Sequence, residues 1–251
     1  MKIDRSDWGR LRVIGGDRER FLQGLTTVNV AALAEGTHGW GAILNPKGRV
    51  LSVIAIARFP DAFAVLCEPA LVDKTRALLE RYAVMDDVVF EAATGPVHQV
   101  IEAPEDLWRA PLVHGAGDVQ SGDPAAERMR IRAGFLRYDA DVDEDHFPFE
   151  TPLVQFLDYS KGCYVGQEPV FRVHAQGNAA RALRGLVVDG AVAPGAVIKH
   201  PAKDHAGVVT SAVAGDDGKT WALGYLHRTT WEVGGRVEIE GKSAEVRALP
   251  W

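Results

Sequence analysis

Hydrophobic and polar residues follow a regular pattern along the first third of the chain. Residues 8–14 alternate as in a β-strand, and an amphipathic helix with Phe21, Leu22 and Leu25 on one face follows the turn after them. Residues 38–44 and 49–59 predict two strands, joined at residues 45–48 by Asn-Pro-Lys-Gly, a sequence suited to a type I turn. These patterns predict a hairpin-rich sheet with a helix packed on it.

The pattern continues through the middle of the chain. Residues 62–67 form an apolar run typical of a buried strand, so Cys67 is expected in the core. Helices are predicted at 69–82 and from Asp123 to Gly134. Further strands are predicted at 84–91, 97–102 and 107–113. Helices packed on antiparallel sheets, an α+β organisation, fit this order better than regular β-α-β alternation.

After Arg181 the chain consists of short apolar runs separated by turn residues. The runs are 183–188, 196–199, 207–213, 220–226, 236–240 and 243–249. Many short strands at this spacing predict a small β-barrel. We therefore expect two regions, an α+β region at 1–180 that can contain two subdomains, and a C-terminal barrel at 181–251.

Composition limits the class of protein. The chain has 251 residues, of which 47% are hydrophobic, and 28 Lys and Arg against 34 Asp and Glu give a net charge of -6. An acidic balance argues against stable nucleic-acid binding through phosphate neutralisation. The start lacks an apolar segment, and the longest apolar run, 50–57, is too short to cross a membrane, so a cytoplasmic protein is expected. Two distant cysteines, Cys67 and Cys163, favour a reducing compartment.

One segment has the pattern of a functional site. Residues 161–169, KGCYVGQEP, place a thiol between Gly162 and Gly166. Both glycines permit a tight bend, and Pro169 suits the first turn of a helix from about 168 to 176, ended by residues 177–178 in a left-handed cap. The helix N-terminus and Lys161 would favour the thiolate of Cys163. The alternative is that Cys163 is a small buried hydrophobe.

Residues 161–169, continued by VFRVHAQG at 170–177, closely resemble the signature of the YgfZ-like proteins, relatives of the glycine-cleavage T-protein (aminomethyltransferase). Residues 21–24, Phe-Leu-Gln-Gly, resemble a second element of that family. The resemblance implies a folate-binding fold of antiparallel sheets with packed helices and a C-terminal barrel. It also implies tetrahydrofolate, or a one-carbon derivative, as cofactor and a role in maintaining iron-sulfur enzymes.

The resemblance also implies roles for particular residues. Cys163 would be the reactive group, with Lys161 tuning it. Residues 147–150 resemble the T-protein's Pro-x-Glu element, so Glu150 would hold the pterin ring through its two acceptor oxygens. The other candidate cofactor-binding residues are Gln23, Asn29, Tyr164, Gly166, Gln167, Glu168 and Arg172. Arg128 and Arg132, one helical turn apart, could bind the carboxylates of a folate tail or simply be solvated.

Two observations limit the chemistry. The eight histidines are scattered, no metal site is predicted, and two cysteines cannot supply the four thiolates of a conventional iron-sulfur cluster. The T-protein's Gly-Gly-x-x-Asp-Asp segment matches residues 48–53, where Ser52 and Val53 replace both acids, which argues against the orthodox aminomethyl transfer.

Three hypotheses remain for the function. The first is a tetrahydrofolate-binding protein that assists iron-sulfur cluster assembly or repair in client enzymes, including tRNA-modifying ones. The second is a folate-dependent one-carbon transferase. The third is a non-catalytic adaptor regulated by folate.

Overall fold

The computed structural model describes residues 1–177 and 179–251. The strands are β1 Lys2–Asp4, β2 Gly9–Ile14, β3 His38–Leu44, β4 Val50–Arg58, β5 Phe63–Cys67, β6 Val89–Ala92, β7 Val97–Val100, β8 Val113–His114, β9 Arg181–Val188, β10 Val197–His200, β11 Lys203–Ala214, β12 Thr220–His227, β13 Arg236–Ile239 and β14 Lys242–Arg247. The helices are α1 Arg18–Leu25, α2 Val72–Tyr82, α3 Asp106–Arg109, α4 Pro124–Ala133 and α5 Gln167–Gln176. Short 3-10 turns lie at Val30–Ala32, Pro69–Leu71, Pro148–Glu150 and Pro152–Phe156.

A five-stranded antiparallel sheet in the order β3-β4-β5-β2-β6 forms the centre of the first region. The strands predicted at 8–14, 38–44, 49–59 and 62–67 are confirmed within two residues. The turn joining β3 and β4 closes as expected, since the Gly48 N-H donates to the Asn45 carbonyl at 2.8 Å. Gly48 has a φ of 79°, which a glycine adopts without strain.

The two faces of this sheet have different neighbours. Side chains alternate along a strand, so Ser52, Ile54 and Ile56 of β4 share one face. Ser52 makes a 2.7 Å hydroxyl contact with Thr75 of α2, which places that helix on this face. Ala55 lies on the opposite face together with its cross-strand partner Trp40.

Aromatic rings pack near the second face. Trp40 meets Trp108 at 5.2 Å and Phe135 at 5.0 Å between ring centroids, both nearly perpendicular, and Trp8 stacks on Phe135 at 6.0 Å. Such pairs contribute about 0.5–1.5 kcal/mol each beyond the area they bury. Trp108 comes from α3, and Phe135 follows α4. A three-stranded sheet, β1-β7-β8, completes this layer.

The C-terminal strands form a closed barrel in the order β10-β11-β12-β9-β14-β13. Its own core contains fully buried aliphatic side chains, among them Leu186, Val188, Ile198, Leu226 and Val246. The predicted barrel is therefore confirmed. Its first strand, β9, begins at Arg181, and the division of the chain at residue 180 stays a proposal.

A buried carboxylate joins the barrel to the first region. Asp141 has no exposed surface. Its carboxylate accepts from Arg130 of α4 at 2.5 Å and from the barrel hydroxyls of Thr210 and Ser211 at 2.6 and 2.8 Å. Tyr225 of β12 donates to the Asp141 carbonyl at 2.8 Å. Every oxygen of this residue thus contacts either α4 or the barrel.

Two predicted strands are wrong in part. Residues 107–109 of the strand expected at 107–113 belong instead to helix α3, since the Asp106 carboxylate accepts from the N-H groups of Glu102 and Ala103 and fixes a turn just before the helix. Within the expected run, Val113 alone belongs to a strand, β8. The strand expected at 84–91 begins at Val89, since residues 84–87 form a turn held by Asp17, which accepts from the Asp87 N-H at 2.9 Å.

The α+β organisation followed by a barrel is confirmed. Helix α5 begins one residue earlier than expected, and Gly177 has a φ of 62°, the left-handed conformation expected at its end. Asn178, the other residue of the predicted cap, lies outside the described residues. Within residues 1–177 and 179–251, no helix combines the length and apolar character needed to cross a membrane.

Candidate functional site

The segment that carries Cys163 is fixed to the end of α1 by one glutamine. Gln23 donates both amide N-H groups, to the Lys161 carbonyl at 2.7 Å and to Asn29 Oδ1 at 3.2 Å. Its oxygen accepts from the N-H groups of Val30 and Ala31. All four hydrogen-bonding positions of the amide are therefore used. These contacts show Gln23 supporting the loop.

Asn29 extends this support to the residues before Lys161. It donates to Asp158 Oδ2 at 2.6 Å, while Asp158 Oδ1 accepts from the N-H and the hydroxyl of Ser160. These bonds hold the pKa of Asp158 below its usual range. The Asp-x-Ser spacing at 158–160 is a turn signal from which the sequence could have identified Asp158.

Lys161 is buried under the loop, with 8% of its surface exposed. Its Nζ donates to the carbonyls of Gln23 at 2.7 Å and Thr26 at 2.5 Å and lies 4.8 Å from the centre of the Tyr164 ring. Burial lowers the pKa of Lys161 to about 8, against the attraction of Asp158. The ammonium thus satisfies the C-terminal carbonyls of α1. Its predicted tuning of Cys163 stays a prediction.

The loop also packs against the turn between β3 and β4. Gly166 has a φ of 80°, and a Cβ built on it would overlap the carbonyl oxygen of Asn45. A Cβ on Gly48 would lie 3.2 Å from the Gly166 carbonyl oxygen. The two backbones approach this closely because both positions are glycine. Gly162 has a φ of 93° and open space around its Cα, so it serves the bend alone.

Cys163 is exposed at the outer side of this supported loop, whereas Cys67 is buried in the sheet as expected. Tyr164 points inward and is buried. Gln167, Glu168, Phe171 and Arg172 of α5 line a shallow depression beside the loop. Phe171 remains 41% exposed. The thiol is therefore accessible, and the predicted residues Gln167, Glu168 and Arg172 lie together at the depression.

Glu150 lies apart from α1 and is largely buried beside the barrel. Its carboxylate accepts from the Phe147 N-H at 3.0 Å and pairs with Arg181 of β9 at 3.2 Å. Arg181 also donates to the Asp145 carbonyl. Nothing in the sequence pattern connected residues 150 and 181. The predicted binding of a pterin by Glu150 stays a prediction, and a ligand there would compete with Arg181.

The positions of the two missing acids are also occupied by ordinary core contacts. Ser52 is fully buried against Thr75, and Val53 is 5% exposed on the other face of the sheet.

Arg128 pairs with Asp216 of the barrel at 3.2 Å, and Arg132 donates to the Trp251 carbonyl at 2.9 Å. Both arginines thus have contacts at the junction between α4 and the C-terminal region.

A large cavity lies elsewhere, on the sheet face opposite α2. It has a volume of about 510 Å³, and its wall is mostly apolar. Trp8, Arg10, His38, Trp40 and Ala55 are among its lining residues. The volume falls within the range of roughly 300–1,000 Å³ typical of small-molecule sites. None of the ten predicted site residues contributes to this wall.

Two polar atoms in the wall of this cavity lack partners. The Trp40 Nε1 and the Arg10 Nε are buried, and neither makes a hydrogen bond within the described part of the chain. Leaving a buried donor unpaired costs about 1–3 kcal/mol. Burial also lowers the pKa of His38 on the same wall, which favours its neutral form. Arg10, Arg12 and His38 contribute polar side chains to this otherwise apolar wall. Alternation places Arg10 and Arg12 on one strand face, a signal the sequence did contain.

No group of three potential metal ligands (His, Cys, Asp or Glu) is found among residues 1–177 and 179–251.

The fold defines the structural class. The chain superimposes on the glycine cleavage system aminomethyltransferase T from Bartonella henselae with a TM-score of 0.83, over 99% of this chain and 85% of that one, at 18% sequence identity. This similarity establishes a T-protein-like fold, with the barrel at its C-terminal end.

Sequence relatives are more specific. The chain is 25% identical over 88% of its length to the tRNA-modifying protein YgfZ of Hamiltonella defensa and 28% identical over 86% of its length to that of Enterobacter sp. strain 638, covering 82% of each. It is 23% identical over 99% of its length to a putative chloroplastic transferase of Arabidopsis thaliana, covering 70% of it. No protein-family model matches the chain. The resemblance to the YgfZ-like proteins is confirmed.

Proposed function

We propose that this protein binds tetrahydrofolate in the cytoplasm and assists iron-sulfur cluster assembly or repair in client enzymes, including enzymes that modify tRNA, through Cys163. The observation that carries the proposal is an exposed thiol on a rigidly supported loop, in a chain with a T-protein-like fold and YgfZ relatives. The loop is fixed by Gln23 and by the close approach of Gly166 to the β3-β4 turn. Such support favours presentation of the sulfur to a partner.

The large cavity fits the pterin part of the cofactor. The pyrimidine half of a tetrahydropterin is planar and carries ring-nitrogen and carbonyl acceptors, and Arg10 and His38 contribute polar side chains to the wall. The rings of Trp8 and Trp40 in the wall can pack against a planar ligand. Arg12 and Arg58 at the same cavity can attract carboxylates of a folate tail, although both also pair with acidic side chains. Bound tetrahydrofolate would supply a carrier for one-carbon units.

This assignment separates the cofactor from the thiol. Ala55 in the cavity wall is five residues along β4 from Val50, which follows the turn where Gly48 contacts the cysteine loop, so the strand spans about 16 Å between them at 3.3 Å per residue. We infer that Cys163 acts on the client and not on the pterin ring. Its role there is that of nucleophile, transient metal ligand or redox group, with the cluster or its iron as cargo.

A paired titration tests the proposal. Tetrahydrofolate binding is measured by calorimetry for the wild type, Cys163→Ala and Trp40→Phe, and each variant is then assayed for support of an iron-sulfur client enzyme. We expect Cys163→Ala to retain folate affinity and lose client support. Trp40→Phe should weaken folate binding by up to about tenfold, because it reduces the aromatic surface that the wall offers to the ligand. Gln155→Ala, an exposed change in the turn that precedes the loop, is the control.

The alternatives give different outcomes in the same experiment. Measurable one-carbon transfer dependent on Cys163 or Glu168 would favour a transferase, which the replacement of both acids by Ser52 and Val53 argues against. Full client support by Cys163→Ala would favour the folate-regulated adaptor. Failure of the wild type to bind tetrahydrofolate would refute the cofactor assignment, whatever the client assay shows.

A further inference from the structure

Arg5 is a buried cation whose hydrogen-bond partners are neutral. It follows β1, and only 6% of its surface is exposed. Its Nε donates to Gln99 Oε1 at 3.1 Å, its Nη1 donates to Ser121 Oγ at 3.0 Å, and its guanidinium lies 4.8 Å from the centre of the Trp8 ring. Across residues 1–177 and 179–251, no carboxylate forms an ion pair with it, and its Nη2 makes no hydrogen bond. Burial lowers the pKa of Arg5 to about 10, although the charges of Glu68 and Asp7 attract it without forming an ion pair. A buried cation that lacks a contacting counter-charge favours an anionic ligand.

A second cavity opens beside this guanidinium. It has a volume of about 270 Å³, and Arg5, Trp8, Ser121 and Phe135 contribute to its wall. Since one water molecule takes up about 30 Å³ of liquid, the space matches a ligand of roughly ten non-hydrogen atoms or fewer. Trp8 also contributes to the larger cavity, but Arg5 and Ser121 line only the smaller one.

The remaining charges around this cavity define what the ligand can be. Arg130 and Arg137 line it too, but both pair with Glu127, and Arg130 also pairs with Asp141. Arg5 is therefore the cation left for a ligand. Two acids, Asp7 and Glu68, lie on the wall and disfavour a dianion. Burial raises the pKa of Glu68, and its Oε2 accepts from the Tyr138 N-H at 3.0 Å, so its carboxyl group is a hydrogen-bonding group on this wall.

We propose that this cavity is a binding site for a small monocarboxylate. Its carboxylate lies on the Arg5 guanidinium, and a hydroxyl substituent next to it contacts Glu68. Guanidinium groups bind carboxylates through two parallel hydrogen bonds, and the free Nη2 beside Nη1 provides that geometry. The site is separate from the cavity assigned to tetrahydrofolate and does not depend on that assignment.

Ligand-observed NMR with glycolate, lactate, acetate and inorganic phosphate tests this site on the full chain. We expect saturable binding of glycolate and lactate, weaker binding of acetate, and no saturable binding of phosphate. Arg5→Gln should lower glycolate affinity at least tenfold, since a charge-assisted hydrogen bond contributes about 1.5–3 kcal/mol. Ala70→Trp, which fills the cavity from an exposed wall position, should also abolish binding. Arg236→Gln on the barrel is the matched control.

The result that would overturn the proposal is equally direct. Absence of saturable binding of glycolate and lactate to the wild type, or unchanged affinity in both Arg5→Gln and Ala70→Trp, would leave Arg5 as a structural cation only. Phosphate binding as tight as glycolate would overturn the assignment to a monocarboxylate. Should Arg5→Gln fail to fold, Ala70→Trp alone decides, because it leaves the guanidinium and its two partners in place.

Discussion

Lys161 provides a test of the loop that requires no knowledge of the function. Burial lowers its pKa from 10.5 to about 8 in the folded chain. Between these two values the unfolded chain holds a proton that the folded chain has released, so stability must rise with pH across this interval. Replacing Lys161 by Met removes the titrating group while keeping an unbranched side chain of similar length. The pH dependence of the wild type and of Lys161→Met should therefore differ.

The size of the difference follows from the two pKa values. Between the two pKa values, the free energy of unfolding rises by about 1.4 kcal/mol per pH unit, and the interval from pH 8 to pH 9.5 contributes nearly in full. The wild type should gain about 2 kcal/mol relative to Lys161→Met between pH 7 and pH 9.5. Below pH 7 Lys161 is protonated in both the folded and the unfolded wild type, and the methionine of Lys161→Met does not titrate. The difference in unfolding free energy between the two proteins should therefore be nearly constant there.

Urea unfolding monitored by tryptophan fluorescence, at pH 6, 7, 8, 9 and 9.5, measures this difference. Subtracting the two profiles cancels the tyrosines and other lysines that titrate in both proteins. Parallel profiles from pH 6 to pH 9.5 would show that Lys161 is not buried under the loop as described. A relative loss of wild-type stability with rising pH would contradict the sign, and with it the assignment of burial as the dominant cause.

Three further changes test other parts of the molecule. Gly166→Ala should destabilise the chain by about 2 kcal/mol or more and impair client support, because its Cβ meets the Asn45 carbonyl, whereas Gly162→Ala should cost only the strain of its positive φ, about 1 kcal/mol; thermal unfolding compares the two. Gln23→Leu should cost about 2–4 kcal/mol by removing four hydrogen bonds and should raise proteolysis at residues 158–165; equal cleavage rates would argue against its bracing role. Asp141→Asn should lower stability by about 3 kcal/mol by leaving Arg130 without one counter-charge, and unchanged urea unfolding would contradict this.

Local sequence patterns predicted most of the fold. The strands around Trp8, His38 and Phe63 alternate or are uniformly apolar as buried strands require, and the Asn-Pro-Lys-Gly turn closes as its residues dictate. The strands expected at 84–91 and 107–113 were wrong in part, because in each region a polar side chain holds a turn where an extended strand was expected. Asp106 holds a turn that precedes a short helix inside an apolar run, and Asp17 holds a turn that shortens β6 from its N-terminal side. Side-chain contacts of this kind are invisible to hydrophobic periodicity.

The candidate site was predictable only along its own segment. The pattern of residues 161–169 indicated a presented thiol, and Cys163 is exposed there. Gln23 and Asn29 were selected as ligand candidates, but the distances show them holding the loop, across 138 residues in the case of Gln23 and Lys161. The unpaired Trp40 donor could not be anticipated, because it depends on which neighbours fail to reach a buried nitrogen. Such information exists only in three dimensions.

The carboxylate of Asp141 has a consequence for how this chain can be divided in the laboratory. A fragment starting at residue 181 would keep every strand of the barrel but would expose the hydroxyls of Thr210, Ser211 and Tyr225 to water. Its Arg181 would also lose the ion pair with Glu150. The complementary fragment would keep the pair of Arg130 and Asp141, but the Asp141 carboxylate would lose the two barrel hydroxyls that donate to it. We therefore expect neither half to behave as a recombinant domain, whereas mixing the two halves should restore a folded complex with a sharp unfolding transition.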